Sequence, residues 1–296
     1  MHIPESLQPG DEIRIISTAR KISLRELQPA LNWLKTQGFT YSFGAHLFES
    51  FHQFSGTDKQ RASDFIAAWK DPNVKAIWCA RGGYGTMRIM DFLNDINVTT
   101  NPKWLIGYSD VTVLHSFLQK QNIVSIHGTM PINVEKNTSA SLSSVIDILS
   151  YKNNSYKWQG EHSQTIDVTG KLVGGNLSML YSLNGTTWQP NTNNAILFIE
   201  DLDEYLYHID RMLQTLKHSN WFTSLKAILV GGMTDMNDNS IPFGFSAKES
   251  IRLMADKMNI PVVFDFPAGH QENNLALPFG QNVQLITGET NLLHLG

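Results

Sequence analysis

The chain has 296 residues, enough for one large core but more usual for two domains. Hydrophobic residues make up 42% and charged residues 17%, and a net charge of −4 without a block of like charges points to no nucleic-acid or membrane-surface partner. The single cysteine, Cys79, excludes an intrachain disulfide and a Cys-rich zinc site.

From the N-terminus, "MHIPESLQPGDEIRII" lacks the basic and then apolar regions of a signal peptide. No apolar run reaches the roughly 20 residues of a membrane span, so a cytoplasmic protein is expected. "EIRIIS" (12–17) reads as a buried strand. A helix follows, opened by the capping box Ser23…Glu26, with Pro29 expected to kink or restart it and Gly38 lying beyond its last turn. "TYSF" is a short strand, and Thr57 caps the helix "DKQRASDFIAAWK". "VKAIWCA" (74–80), "KWLIGY" and "IVSIHG" read as strands. The segments "TMRIMDFL", "VTVLHSFLQKQ" and "ASLSSVIDILS" read as helices. This alternation predicts a doubly wound parallel α/β sheet over residues 1–150.

Periodicity fails over 151–170, "YKNNSYKWQGEHSQTIDVTG", a polar candidate linker in which short strands could hide. Over 171–296 the pattern resumes as a mixed α/β domain. "NLSMLYSL", "LYHIDRMLQTLKH" and "AKESIRLMADKM" are expected helices, and "AILFIE", "KAILVGG" and "PVVFDF" strands. "NVQLITGETNLLHLG" reads as a closing hairpin.

Ligands of open α/β sheets bind beyond the carboxyl ends of strands, and four such ends carry unusual residues. "RGGYGT" (81–86) is either a tight turn or a glycine loop whose N–H groups face an anion; it matches neither G-x-G-x-x-G nor a Walker loop. Ser109, in "IGYSDV", is either a helix cap, as Asp110 also could be, or a nucleophile at a strand-to-helix elbow lacking the usual second glycine. Glu200, ending "AILFIE", is either an anion at a helix N-terminus or the partner of a histidine. His270, in "PAGHQENN", stands in a polar loop beyond a buried strand. Among the other histidines, His115 is expected to point away from Ser109, His127 to line a cleft and His208 to join a surface network. No metal-ligand spacing occurs.

In this order the motifs "ARGGYGTMRI", "IGYSDVTVLH", "HGTM", "GGNLSML", "LFIEDLDEYLYHIDRML" and "PAGHQENNLALPFG", with "PGDEIRIIS" at the start and the final hairpin, resemble the LD-carboxypeptidase (muramoyltetrapeptide carboxypeptidase) family. The resemblance spans nearly the whole chain. It implies a serine peptidase with an N-terminal domain carrying the nucleophile and a C-terminal domain carrying a glutamate and a histidine. Carried over by motif, Ser109 is the nucleophile, His270 the general base and Glu200 the residue orienting it. The backbone N–H groups of Asp110 and Gly83 form the oxyanion hole.

Such enzymes remove the terminal D-alanine from murein tetrapeptides in the cytoplasm during wall recycling, without metal or cofactor, often as homodimers. An exopeptidase must also bind the free carboxylate of its leaving residue, and Arg81 is either that anchor or the structural partner of an acidic residue. Two departures affect the cleft: "STAR" stands where the family often has "APS", and Leu206 and His208 stand where proline and arginine are common. Two other readings are a relative of the microcin C immunity peptidases, needing an aromatic surface such as Trp158 or Trp188 for a nucleobase, and a catalytically silent muropeptide-binding protein.

Overall fold

In the computed structural model, which describes residues 1–152 and 155–296, the apolar run after Asp11 forms strand β1 (Glu12–Ile16). Helix α1 (Leu24–Thr36) opens on the expected capping box, the Glu26 N–H donating to Ser23 Oγ and the Ser23 N–H to Glu26. Pro29 lies inside this helix, which does not restart there. Its missing N–H forfeits one bond to the Arg25 carbonyl, a small loss because Arg25 is exposed, where such a group is open to solvent. Then come β2 (Thr40–Phe43), α2 (Asp58–Lys70) behind its Thr57 cap, and β3 (Val74–Cys79). The expected helix "TMRIMDFL" winds as a 3-10 helix, Thr86–Leu93. After it run β4 (Trp104–Gly107), a 3-10 turn at Ser109–Val111, α3 (Thr112–Lys120), β5 (Ser125–His127) and α4 (Ser139–Leu149).

The candidate linker 151–170 holds β6 (Ser155–Trp158) and the start of β7 (Asp167–Asn176); its residues 153 and 154 lie outside the described residues. The rest is α5 (Leu177–Leu183), β8 (Ala195–Leu202), α6 (Leu206–His218), β9 (Ala227–Thr234), α7 (Ala247–Lys257) and β10 (Val262–Val263). Three short strands follow: β11 (Leu277–Phe279), β12 (Asn282–Ile286) and β13 (Asn291–His294). The last two pair as the predicted hairpin.

These strands make a six-stranded sheet ordered β2-β1-β3-β4-β5-β11 and a seven-stranded sheet ordered β10-β9-β8-β7-β12-β13-β6. In the first sheet β1 to β5 are all parallel, and β11 closes the edge antiparallel to β5. The chain leaves β1 first to one side and then to the other, so a topological switch point lies between β1 and β3, where such sheets leave a crevice. In the second sheet β7 to β10 are parallel and the hairpin side is antiparallel. One apolar core joins the two sheets, with Trp78, Ile106 and Ile126 packed in the same cluster as Phe198, Phe266 and Phe279. The carboxyl ends of β4 and β8 are thereby held beside the same seam.

Candidate active site

Ser109 follows β4 with φ of 63°, a left-handed backbone that an L-residue adopts at a cost of about 1–3 kcal/mol. Its side chain is half-buried, and Oγ forms no hydrogen bond with the described residues. Neither Ser109 nor Asp110 caps the helix that follows. The buried Asp110 carboxylate instead crosses to the neighbouring loop and accepts the Thr86 N–H at 2.8 Å, which clamps the glycine loop to the serine turn. Burial raises the Asp110 pKa, against the pull of its hydrogen bonds and of Arg61.

The glycines of the loop have separate reasons. A Cβ on Gly82 would stand 3.2 Å from Ser109 Oγ, so the loop backbone lies directly against the hydroxyl. Gly83 and Gly85 have φ of 109° and 148°, and a Cβ on Gly85 would stand 2.9 Å from the Ala19 Cα. The Gly83 N–H has no acceptor among the described residues. The Asp110 N–H lies in the first turn of its helix, where donors have no intrahelical partner.

Glu200, fully buried in β8, faces the loop after β10. Its Oε2 lies 2.6 Å from His270 Nδ1 and also accepts the His270 N–H at 3.1 Å. This approach requires Gly269, whose φ is 105° and whose Cβ would stand 2.7 Å from the same oxygen. Asn274 Oδ1 accepts the Gly269 N–H at 2.8 Å, and Thr234 Oγ1 donates to the His270 carbonyl at 3.0 Å. The loop is tied to the first sheet as well: Asn274 N–H donates to Ser141 Oγ on α4, and Asn137 Nδ2 donates to the carbonyls of Gln271 and Glu272.

The His270 ring packs against Tyr108, centroids 4.8 Å apart, which puts the imidazole next to the residue preceding Ser109. Among the described residues no hydrogen bond joins Ser109 to His270. Burial lowers the His270 pKa, but the charge and hydrogen bond of Glu200, together with the Asp201 charge, outweigh it and raise the value. Asp201 is pushed up to about 7 by burial and by its neighbour Glu200. It accepts from Asn176 Nδ2 and the Ser178 N–H, so Asp201, not Glu200, serves the N-terminus of α5.

The other singled-out histidines are elsewhere engaged. His115 is buried between Ser125 Oγ and the Gly107 carbonyl, and burial lowers its pKa to about 4. His127, expected to line a cleft, is completely buried against Tyr108, Phe198 and Phe279 and held neutral by burial. His208 pairs with Glu204 at 2.5 Å. Arg81 donates to the Lys21 carbonyl at 3.2 Å and stands 3.6 Å from Glu26. Trp158 is buried with its indole N–H on the Phe264 carbonyl, and Trp188 packs against the core of the first sheet. A cavity of about 620 Å³ opens beside the histidine loop, lined by Gly231, Gly232, Met233, Thr234, Phe266 and Gln271.

The Asp110 clamp, the Tyr108 contact and the Asn274 brace were not legible as site features. Each is an ordinary residue whose partner is remote in sequence.

The sequence pattern of the LD-carboxypeptidase N-terminal domain matches residues 13–128, and that of the LD-carboxypeptidase C-terminal domain matches residues 169–285. The murein tetrapeptide carboxypeptidase of Pseudomonas aeruginosa is 30% identical over 95% of this chain and 95% of its own. The crystal structure of muramoyltetrapeptide carboxypeptidase from Oxalobacter formigenes superposes with a TM-score of 0.89 at 28% identity, covering 96% of this chain and 98% of that one. The microcin C7 self-immunity protein, in complex with aspartyl sulfamoyl adenosine, also superposes at 0.89, covering 99% of this chain and 98% of its own, but at 23% identity this likeness is one of fold alone.

Proposed function

The chain belongs to the LD-carboxypeptidase family, and on that premise we propose that it removes the terminal D-alanine from murein tetrapeptides during cell-wall recycling, with Ser109, His270 and Glu200 as its catalytic triad. It is a peptidase of the carboxypeptidase type. The observation that supports the assignment of residues is the 2.6 Å contact between buried Glu200 and His270 on one sheet, beside a strained serine on the other whose Oγ has no hydrogen bond among the described residues.

In this reading Ser109 Oγ attacks the carbonyl of the diamino acid while His270 Nε2 takes its proton. Glu200 accepts from Nδ1–H, which fixes the tautomer and balances the imidazolium as it forms. The N–H groups of Asp110 and Gly83 receive the oxyanion, each donor worth about 10²–10³ in kcat. His270 then protonates the departing D-alanine, and water repeats the sequence on the acyl-enzyme. The cavity beside Gln271 is large enough for the acyl-side stem of the peptide. A cytoplasmic location and a homodimer complete the proposal; among the described residues no helix is long and apolar enough to cross a membrane.

Microcin C immunity chemistry would need a free aromatic face for its nucleobase; of the two tryptophans singled out for it Trp158 is buried, and Trp188 is partly buried against the core. The test is to incubate the enzyme with a tetrapeptide ending in an L-centre and D-alanine and with a pentapeptide ending in D-Ala–D-Ala, and to measure released D-alanine. Release from the tetrapeptide alone is expected. Inverting the acyl-side α-carbon moves its side chain out of place or turns the carbonyl from its donors, and about 1 Å of misplacement costs on the order of 10². Comparable rates on both peptides refute the LD reading.

A further inference from the structure

We propose that Arg20 binds the terminal carboxylate of the leaving residue and so restricts the enzyme to peptides with a free acid end, an inference that rests on the murein-peptide reading above. Arg20 ends the "STAR" turn after β1, and the glycine loop follows β3. The two segments therefore flank the switch-point crevice of the first sheet.

The Arg20 side chain lies on Gly83: a Cβ there would stand 2.6 Å from Arg20 Cδ and 2.8 Å from Nε. The adjoining Gly82 lies against Ser109 Oγ. Neighbouring Cα atoms are about 3.8 Å apart, and the terminal carboxylate of a peptide is about one residue's length from the scissile carbonyl. A peptide held at Ser109 thus presents its carboxylate along the glycine loop toward Arg20.

The turn is held while the guanidinium is not. Ser17 Oγ donates to the Arg20 carbonyl at 2.7 Å, Thr18 and Thr86 share a hydroxyl hydrogen bond of 2.8 Å, and Arg81 donates to the next carbonyl, that of Lys21. Arg81, itself near Glu26, is on this geometry a positioning residue for the turn. Around the same sheet Arg14, Arg61 and Arg88 each pair with an acid, whereas Arg20 is exposed and has no ion pair among the described residues. An arginine fork accepts a carboxylate through two parallel N–H···O bonds, so the free group fits the leaving residue's end.

The experiment compares the tetrapeptide acid with the same peptide as its C-terminal amide, on wild type, Arg20→Met and Arg20→Lys, by release of the terminal residue. Wild type is expected to prefer the acid by about a hundredfold in kcat/KM, most of it in KM, because the carboxylate is bound in ground and transition states alike. Arg20→Met should bring the acid-to-amide ratio to within about threefold of unity, and Arg20→Lys should retain part of the preference as a point charge. The ratio is internal to each variant, so a general loss of active protein does not move it. A wild type inert on the tetrapeptide overturns the substrate reading and this inference with it. An active wild type whose preference survives in Arg20→Met overturns the role of Arg20 alone.

Discussion

Glu200→Gln replaces one oxygen of a fully buried carboxylate, and the two oxygens do unequal work. Oε2 accepts both His270 Nδ1–H and the His270 N–H, while Oε1 has no hydrogen-bond partner among the described residues. A glutamine with its carbonyl in the Oε2 position keeps both bonds and the histidine tautomer, and leaves its amide donors buried at the Oε1 position without an acceptor. That orphan costs about 1–3 kcal/mol of stability. The opposite orientation faces two donors with two more and loses.

What the variant cannot keep is the charge opposite the imidazolium. Two unit charges about 4 Å apart at an effective dielectric near 20 interact by about 4 kcal/mol, or about 10³ in kcat. KM should change little, because a buried Glu200 does not touch substrate. The acid limb of kcat/KM should also move to lower pH: Glu200 raises the His270 pKa, a general base works only above its pKa, and removing the charge lets burial pull that pKa down. D-alanine release from pH 5 to 9, with a thermal melt, measures all three effects. A kcat within tenfold of wild type and an unmoved acid limb would refute the role of Glu200.

Ser109→Ala should abolish hydrolysis and leave the melting temperature nearly unchanged, since Oγ caps no helix and makes no hydrogen bond among the described residues; a turnover rate within tenfold of wild type removes Ser109 from the mechanism. Gly269→Ala should lower kcat by at least tenfold and destabilise by about 1–3 kcal/mol, because its Cβ would sit 2.7 Å from Glu200 Oε2 at a φ of 105°, and steady-state kinetics beside a denaturant melt checks both.

Local signals carried far in this chain. Ser23…Glu26 and Thr57 start helices where capping predicts, because a cap is decided within four residues. The strand ends pointed to Ser109, Glu200 and His270, since an apolar run that stops at a polar residue is visible without knowing the fold. Features decided by distant partners were not visible. "LPF" (277–279) has three residues and a proline, yet it closes the first sheet, because an edge strand tolerates a missing N–H and β5 offers a free side. Asp110 reads as a cap, but its acceptor capacity goes to Thr86, 24 residues upstream. Arg81 stands beside the glycine loop in sequence, whereas the guanidinium over that loop with no ion pair among the described residues is that of Arg20, from the turn after β1.

The division of the site between two sheets has a mechanical consequence. The serine and its glycine loop ride on the first sheet, the glutamate and histidine on the second, so the distance from Oγ to the imidazole is set by how the sheets dock. Three kinds of contact fix that docking near the site: the Asn176 N–H donates to Thr112 Oγ1, the histidine loop is bonded to α4 and the adjoining Asn137, and the rings of Tyr108 and His270 pack at a tilt of 57°. Gly175 permits the first of these, since its Cβ would stand 2.4 Å from Thr112 Oγ1. The apolar core beneath them is continuous across the seam and resists compression, so docking errors of an ångström are suppressed by packing and not by the polar contacts of the site. Among the described residues no hydrogen bond joins Ser109 to His270, and such a bond would cross the seam. A shift of one sheet against the other would change that separation, while Glu200 and His270, joined at 2.6 Å, would move as one.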